Sequence, residues 1–129
     1  MVFIDADAFI GLHVASDAHH DRARKIMADI KDEIITSIEV VDEVATKLSL
    51  FTTRNKAVDF VNEILASKIR IEYVVSARIE KIAKLFARQK SKQVSFTDCA
   101  NIIICRNLGI KRVFSFDKHY QQNGLESLD

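Results

Sequence analysis

At 129 residues the chain has the length of one domain with room for a sizeable core. Its 48% hydrophobic and 29% charged content are those of a globular protein, and a formal net charge of +1 excludes a polybasic surface that binds nucleic acid or membrane by bulk charge. No apolar run approaches the ~18–20 residues of a membrane span, and the first residues lack the basic start and small-residue cleavage site of a secretory signal, so the cytoplasm is the expected compartment.

The chain opens "MVFIDADAFIGL". Val2, Phe3 and Ile4 read as a buried strand that ends at Asp5, and a helix is expected from about Ala8 to Ala15 with Asp7 as its N-cap. A second helix covers about His19–Lys31, with Ala23, Ile26, Met27 and Ile30 on one face. "EIITS" is strand-like; Thr36 and Glu39 then have capping-box spacing and start a helix that reaches about Leu50. In "TTRNKAVDFVNEILAS" the residues Val58, Val61, Ile64 and Leu65 recur at helical spacing. "IRIEYVV" is a strand by its β-branched content, and "ARIEKIAKLFARQK" a helix with Ile79, Ile82, Ala83 and Phe86 inward. Ser95 and Asp98 offer a second capping box, for a helix that ends near Leu108 with Gly109 in the left-handed C-terminal position. Its Cys99 and Cys105 have neither Cys-x-x-Cys spacing nor a disulfide-rich setting and read as reduced thiols. "RVFSF" is a strand, and a last short one is placed near "LESL".

With no proline, three glycines and no low-complexity stretch, residues 1–129 read as a single domain. Strands that alternate with helices imply crossovers between parallel strands, hence a three-layer α/β/α sandwich around a central, mainly parallel sheet. In such folds ligands gather beyond the carboxyl ends of the strands, where the strand order switches.

Four carboxylates fall at such places. Asp5 ends the first strand, Asp117 follows "RVFSF", Asp98 lies in the first turn of the helix before it, and Glu43 lies one to two turns into the helix after "EIITS". Each has a plain structural explanation. Asp98 belongs to a capping box, Glu43 sits beside Glu39 and Asp42 on a solvated helix face, and Asp117 starts a turn with Lys118. Their joint placement argues for more. Several carboxylates brought together repel one another unless a cation sits among them. Mg²⁺ or Mn²⁺ prefers such hard oxygen ligands, and a metal held this way favours phosphodiester hydrolysis.

The segments "FIDADAFI", "TSIEVVDEV", "SFTDCANIII" and "VFSFDKHY" resemble, in order, the four acidic motifs of the PIN-domain family, and most of all those of the small ribonucleases that act as VapC-type toxins. The resemblance covers essentially the whole chain. It implies that Asp5, Glu43, Asp98 and Asp117 form the catalytic quartet, with Asp5, Asp98 and Asp117 on the metal and Ser115 in support. It also implies Mg²⁺ or Mn²⁺ as cofactor, RNA as substrate, a homodimer, and an antitoxin protein whose tail covers the site. In "DAHHDRARKI", His20 corresponds to a structural histidine. The last motif often ends in Asp-Phe, where this chain has His119 and Tyr120.

Other residues are open to either reading. His13, His19, His20 and His119 make no obvious metal constellation. Arg88, Lys90 and Lys92, just before the third motif, and Lys118, beside Asp117, are candidates to hold RNA phosphates or are solvated cations. No stacking platform is visible, so base readout is not expected. Leu48, Leu50, Phe51 and Phe60 exceed the apolar surface that one side of a small sheet needs, which points to a two-fold dimer. The leading function is a metal-dependent endoribonuclease, the toxin of a toxin–antitoxin pair. The alternatives are a housekeeping RNA-processing nuclease, a non-catalytic RNA- or protein-binding module, and a haloacid-dehalogenase-like phosphotransferase with Asp5 as nucleophile. The last lacks the usual Thr or Val at Ala8.

Overall fold

The computed structural model describes residues 1–129. In chain order the elements are β1 (Val2–Ile4), α1 (Ala6–His13), α2 (His20–Asp29), β2 (Ile34–Ser37), α3 (Ile38–Phe51), α4 (Arg54–Ala66), β3 (Arg70–Glu72), α5 (Ser76–Arg88), α6 (Phe96–Leu108), β4 (Arg112–Phe114), α7 (His119–Gln122) and β5 (Glu126–Leu128). The five strands form one parallel sheet in the order β3-β2-β1-β4-β5, flanked by the helices. No helix is long and apolar enough to cross a membrane.

β1 is the middle strand because all three of its residues are apolar and none reaches solvent. Val2 pairs with Ile34 on one side and Arg112 on the other, and Ile4 stands opposite Phe114. The chain runs outward from β1 through β2 to β3, then returns to the other flank for β4 and β5. The order therefore switches between β1 and β4, the two strands whose carboxyl ends carry Asp5 and Ser115.

α6 is apolar almost all round, as "CANIIIC" demands, and Cys99 through Cys105 are all buried. The Ser95–Asp98 capping box forms in both directions, and Gly109 closes the helix at φ 68°, a left-handed conformation that costs glycine nothing. Both cysteines are free and buried, and burial followed by the charge of Asp5 pushes the Cys105 thiol up to about 12.

Several expectations need correction. The first helix begins at Ala6 with Asp5, not Asp7, at the N-cap position. The cap of α3 is Ser37, whose hydroxyl accepts from the Val40 N–H. Thr36 stays in β2, where its buried hydroxyl donates to the Ile4 carbonyl at 2.9 Å, and so cannot box with Glu39. In α4 the inward face is Ala57, Phe60 and Ile64; Val58 and Leu65 are exposed. The ring of Phe60 meets Phe9 edge-on at 5.4 Å, and that large apolar contact sets the helix rotation. In α5, Ile82 and Leu85 are buried while Ile79, Ala83 and Phe86 face outward. β3 keeps only three residues of the longer run expected. It is an edge strand with Arg70 and Glu72 along it, charges that discourage further pairing.

Candidate active site

Asp5 is 6% exposed at the N-cap position of α1, and its side chain makes no capping bond. Its backbone N–H donates to the Phe114 carbonyl, which fixes the residue against the end of β4. Burial above all, then the charges of Asp7, Asp98 and Glu43, pushes its carboxyl well above the usual carboxylate range.

Asp7 is the nearest of these neighbours. It lies in the first turn of α1, half-buried, and its Oδ2 accepts the Phe116 N–H at 2.9 Å. The Ser115 hydroxyl is 3.1 Å from both Asp7 oxygens and 3.2 Å from Asp5 Oδ2. One hydroxyl proton thus stands before two carboxylates and serves one at a time. Burial also raises Asp7, against the bonds from Phe116 and Ser115, with the charge of Asp117 adding to the rise.

Asp98 serves two ends. Its Oδ2 accepts the Ser95 N–H at 2.9 Å, and its own N–H donates to Ser95 Oγ at 3.0 Å. The same side chain joins a cluster with Asp117 and His119, whose ligand atoms all lie within 4.8 Å of one another. Burial, with the charge of Asp117, lifts Asp98 above its usual value, while the Ser95 bonds oppose the rise. His119 Nε2 stands 3.3 Å from Asp117 Oδ1, so this histidine joins the acidic group rather than any constellation of histidines.

Glu43, half-buried on α3, bonds Lys47 one turn later at 2.8 Å. That bond and the charges of Glu43, Asp5 and Asp7 hold Lys47 above its usual value, against partial burial. Lys47 is thus the cation that faces the acids from α3. It was missed in the sequence because it reads as one half of an ordinary (i, i+4) helix pair.

Asn101 was also missed. It follows Asp98 by three residues on α6, hence on nearly the same face, and is completely buried. Its side-chain carbonyl accepts the Ser37 hydroxyl at 2.7 Å, and its amide donates to the Tyr120 phenol oxygen at 3.1 Å and stands 3.5 Å from Asp5 Oδ1. A polar residue inside "CANIIIC" was the available signal.

An open cleft of about 520 Å³ lies beside this group, and Asp7, His19, Phe116, Asp117, Lys118 and His119 line it. Lys118 therefore stands at the acids. Arg88, Lys90 and Lys92 are exposed but do not line the cleft, although Ser91 and Gln93 do. His20 donates from Nδ1 to the Gly11 carbonyl at 2.7 Å and ties α2 to α1, as a structural histidine does. His19 instead stacks on Phe116, with ring centroids 4.1 Å apart and planes 7° from parallel. An aromatic platform does exist, contrary to expectation; its halves come from distant parts of the chain.

The donor set suits a hard divalent cation. Carboxylate oxygens and one imidazole nitrogen converge, and the buried Asp5 beside them carries no cationic partner of its own.

A family model described as PIN domain matches residues 2–124. Among curated proteins the chain is 27% identical over 124 residues to the 23S rRNA-specific endonuclease VapC20 of Mycobacterium tuberculosis, in strains CDC 1551 / Oshkosh and ATCC 25618 / H37Rv. That alignment covers 96% of this chain and 95% of the relative. The crystal structure of M. tuberculosis VapC20, described as a sarcin–ricin loop cleaving toxin, superposes with a TM-score of 0.91 at 25% identity, over 97% of this chain and 96% of that one.

Proposed function

The chain belongs to the PIN-domain family, and from that premise we propose that it is an endoribonuclease toxin that cuts 23S ribosomal RNA at the sarcin–ricin loop. The observation that carries this reading is the accumulation of carboxylates at the strand-order switch. Asp5, Asp7, Asp98, Asp117 and Glu43 are near enough to perturb one another, at a cost in folding stability that a purely structural role leaves unexplained.

Asp5, Asp98 and Asp117 would hold the metal: Asp98 and Asp117 present their oxygens within 4.8 Å of each other and of the His119 ring nitrogen, and the buried Asp5 carboxyl is close enough to feel the charge of Asp98. Bound there, Mg²⁺ or Mn²⁺ supplies charge neutralisation at the scissile phosphate and a lowered pKa for the attacking water. The chain's own groups do the positioning. Ser115 fixes Asp5 and Asp7 relative to each other, and Asn101 fixes the helix that carries Asp98. Lys47 holds Oε1 of Glu43, which leaves Oε2 to accept a proton from water. Lys118, on the cleft wall, meets the phosphate backbone of the strand; Arg88, Lys90 and Lys92 contact it further out.

The partner is an antitoxin protein whose tail occupies the cleft, and the toxin works as a homodimer in the cytoplasm, where ribosomes are. The test is cleavage of a stem–loop RNA with the sarcin–ricin sequence. Cleavage that requires Mg²⁺ or Mn²⁺, stops with EDTA and disappears in Asp5→Asn and Asp98→Asn supports the reading. Full activity in Asp98→Asn, or in excess chelator, rules it out.

A further inference from the structure

His19 and Phe116 form a parallel, stacked aromatic pair on the wall of the cleft that holds Asp7 and Asp117. Neither ring is fully buried, although Phe116 packs against the edge of the core. Phe116 is half-buried and turns an edge contact toward Phe114 at 5.9 Å, whereas His19 is exposed and its ring makes no hydrogen bond. The face left open is therefore the imidazole's.

Both halves are fixed through their backbones. The Phe116 N–H is held by Asp7 Oδ2 at 2.9 Å, and the His19 N–H donates to Asp17 Oδ1 at 2.8 Å. His19 also accepts the Ala23 N–H at the start of α2. An exposed aromatic face that is already rigid loses little conformational freedom when something flat settles on it. The carboxylate that holds Phe116 belongs to the acidic cluster, so anything stacked on His19 lies beside the groups that face the scissile phosphate.

We propose that the His19–Phe116 stack is a nucleobase seat, on which one unpaired base of the RNA rests against the imidazole while its neighbouring phosphate enters the acidic cleft. This rests on the nuclease reading for the identity of the ligand as RNA. Splayed-out bases stack on histidine and phenylalanine rings, and such stacking tolerates every base because each has a π-face. The seat thus sets where along the strand the phosphate falls and leaves base identity unread. Lys118, on the same wall, supplies the charge for the backbone of that nucleotide.

The experiment measures binding of a sarcin–ricin stem–loop RNA by anisotropy in EDTA, where no strand is cut, with a set of copies that each lack one loop base. His19→Ala should weaken binding by about tenfold to a hundredfold, the usual effect of losing one stacked base. His19→Phe should restore it and His19→Leu should not, with melting temperatures that show all three folded. One abasic RNA should bind wild type as weakly as intact RNA binds His19→Ala, and combining the two losses should cost nothing more. Cleavage kinetics should show the change in KM with kcat held. If Leu serves as well as Phe, or if every abasic position is penalised equally in wild type and His19→Ala, the seat does not exist. Binding with this coupling but without cleavage under any metal leaves the seat standing and removes the nuclease reading. Absence of RNA binding by wild type removes both.

Discussion

The Ser37 hydroxyl donates to the side-chain carbonyl of Asn101 across 2.7 Å, although 64 residues separate them in sequence. Ser37 caps α3, Asn101 lies in α6, and the amide of Asn101 reaches on to Tyr120 in α7. Three helix segments around Asp5 are thereby held in one buried hydrogen-bonded unit. Asn101→Leu keeps the volume but leaves the Ser37 and Tyr120 groups without this partner. A loss of about 1–3 kcal/mol is expected, read from a urea midpoint at constant m-value. A shift under ~0.5 kcal/mol would show that Ser37 and Tyr120 find other partners.

Asp5, Asp7 and Asp98 are all raised, in each case chiefly by burial. A carboxyl raised in the fold binds its proton more tightly there than in the unfolded chain. Its stabilising effect is complete below the ordinary carboxylate range and is lost as pH rises through the raised values. In EDTA the melting temperature should therefore fall as pH climbs from ~4 toward neutrality. Asp5→Asn should flatten that fall and raise the neutral-pH melting temperature above wild type. Asp32, lowered by its bond to Arg112, acts in the opposite sense, but only below the ordinary range. A wild-type profile that rises from pH 5 to 7 in EDTA would contradict the sign.

Ser115→Ala removes the one proton shared by Asp5 and Asp7, and the acceptor of the Asp117 N–H as well. Loss of such an orienting group typically lowers metal affinity about 10- to 100-fold. Titration calorimetry with Mn²⁺ should register a drop of that size with stoichiometry unchanged. Equal affinity in the two proteins would make Ser115 a packing residue only.

The apolar surface for dimerisation is smaller than the sequence suggested. Leu48 and Phe60 are buried in the chain's own core, whereas Leu50 and Phe51 are 72% and 80% exposed at the end of α3, near exposed Val58 on α4. A groove of about 350 Å³ runs between these helices, away from the acids. Wild type should scatter light as a dimer at micromolar concentration. A Leu50→Glu, Phe51→Glu double substitution should give a monomer with its melting curve intact. A monomeric wild type at that concentration would remove this expectation and leave the chemistry untouched.

What could be read in the sequence was mostly local. β1, the Ser95–Asp98 box and the Gly109 stop depend on residues a few places apart, and each stands as expected. The α3 start did not, because two adjacent hydroxyls competed for it. β2 pairs through Ser37 with Glu72, so Thr36 remains strand and spends its hydroxyl on Ile4. The inward faces of α4 and α5 were misread for a related reason. Periodicity offers several faces, and the ring of Phe60 against Phe9 chooses among them. Asp7 looked like a cap because its true partners, Ser115 and Phe116, are 108 and 109 residues away. That the acids lie near one another was legible through their order and placement; what holds them was not.

The clustered carboxylates run from residue 5 to residue 117, and β1 needs β4 as one of its two neighbours. Synthesis delivers the amino end first. A growing chain therefore carries Asp5, with one flank of β1 open, until β4 and Asp117 have been added. The proposed site is thus complete only once residue 117 has been added, and a product that stops before β4 lacks both Asp117 and the second neighbour of β1.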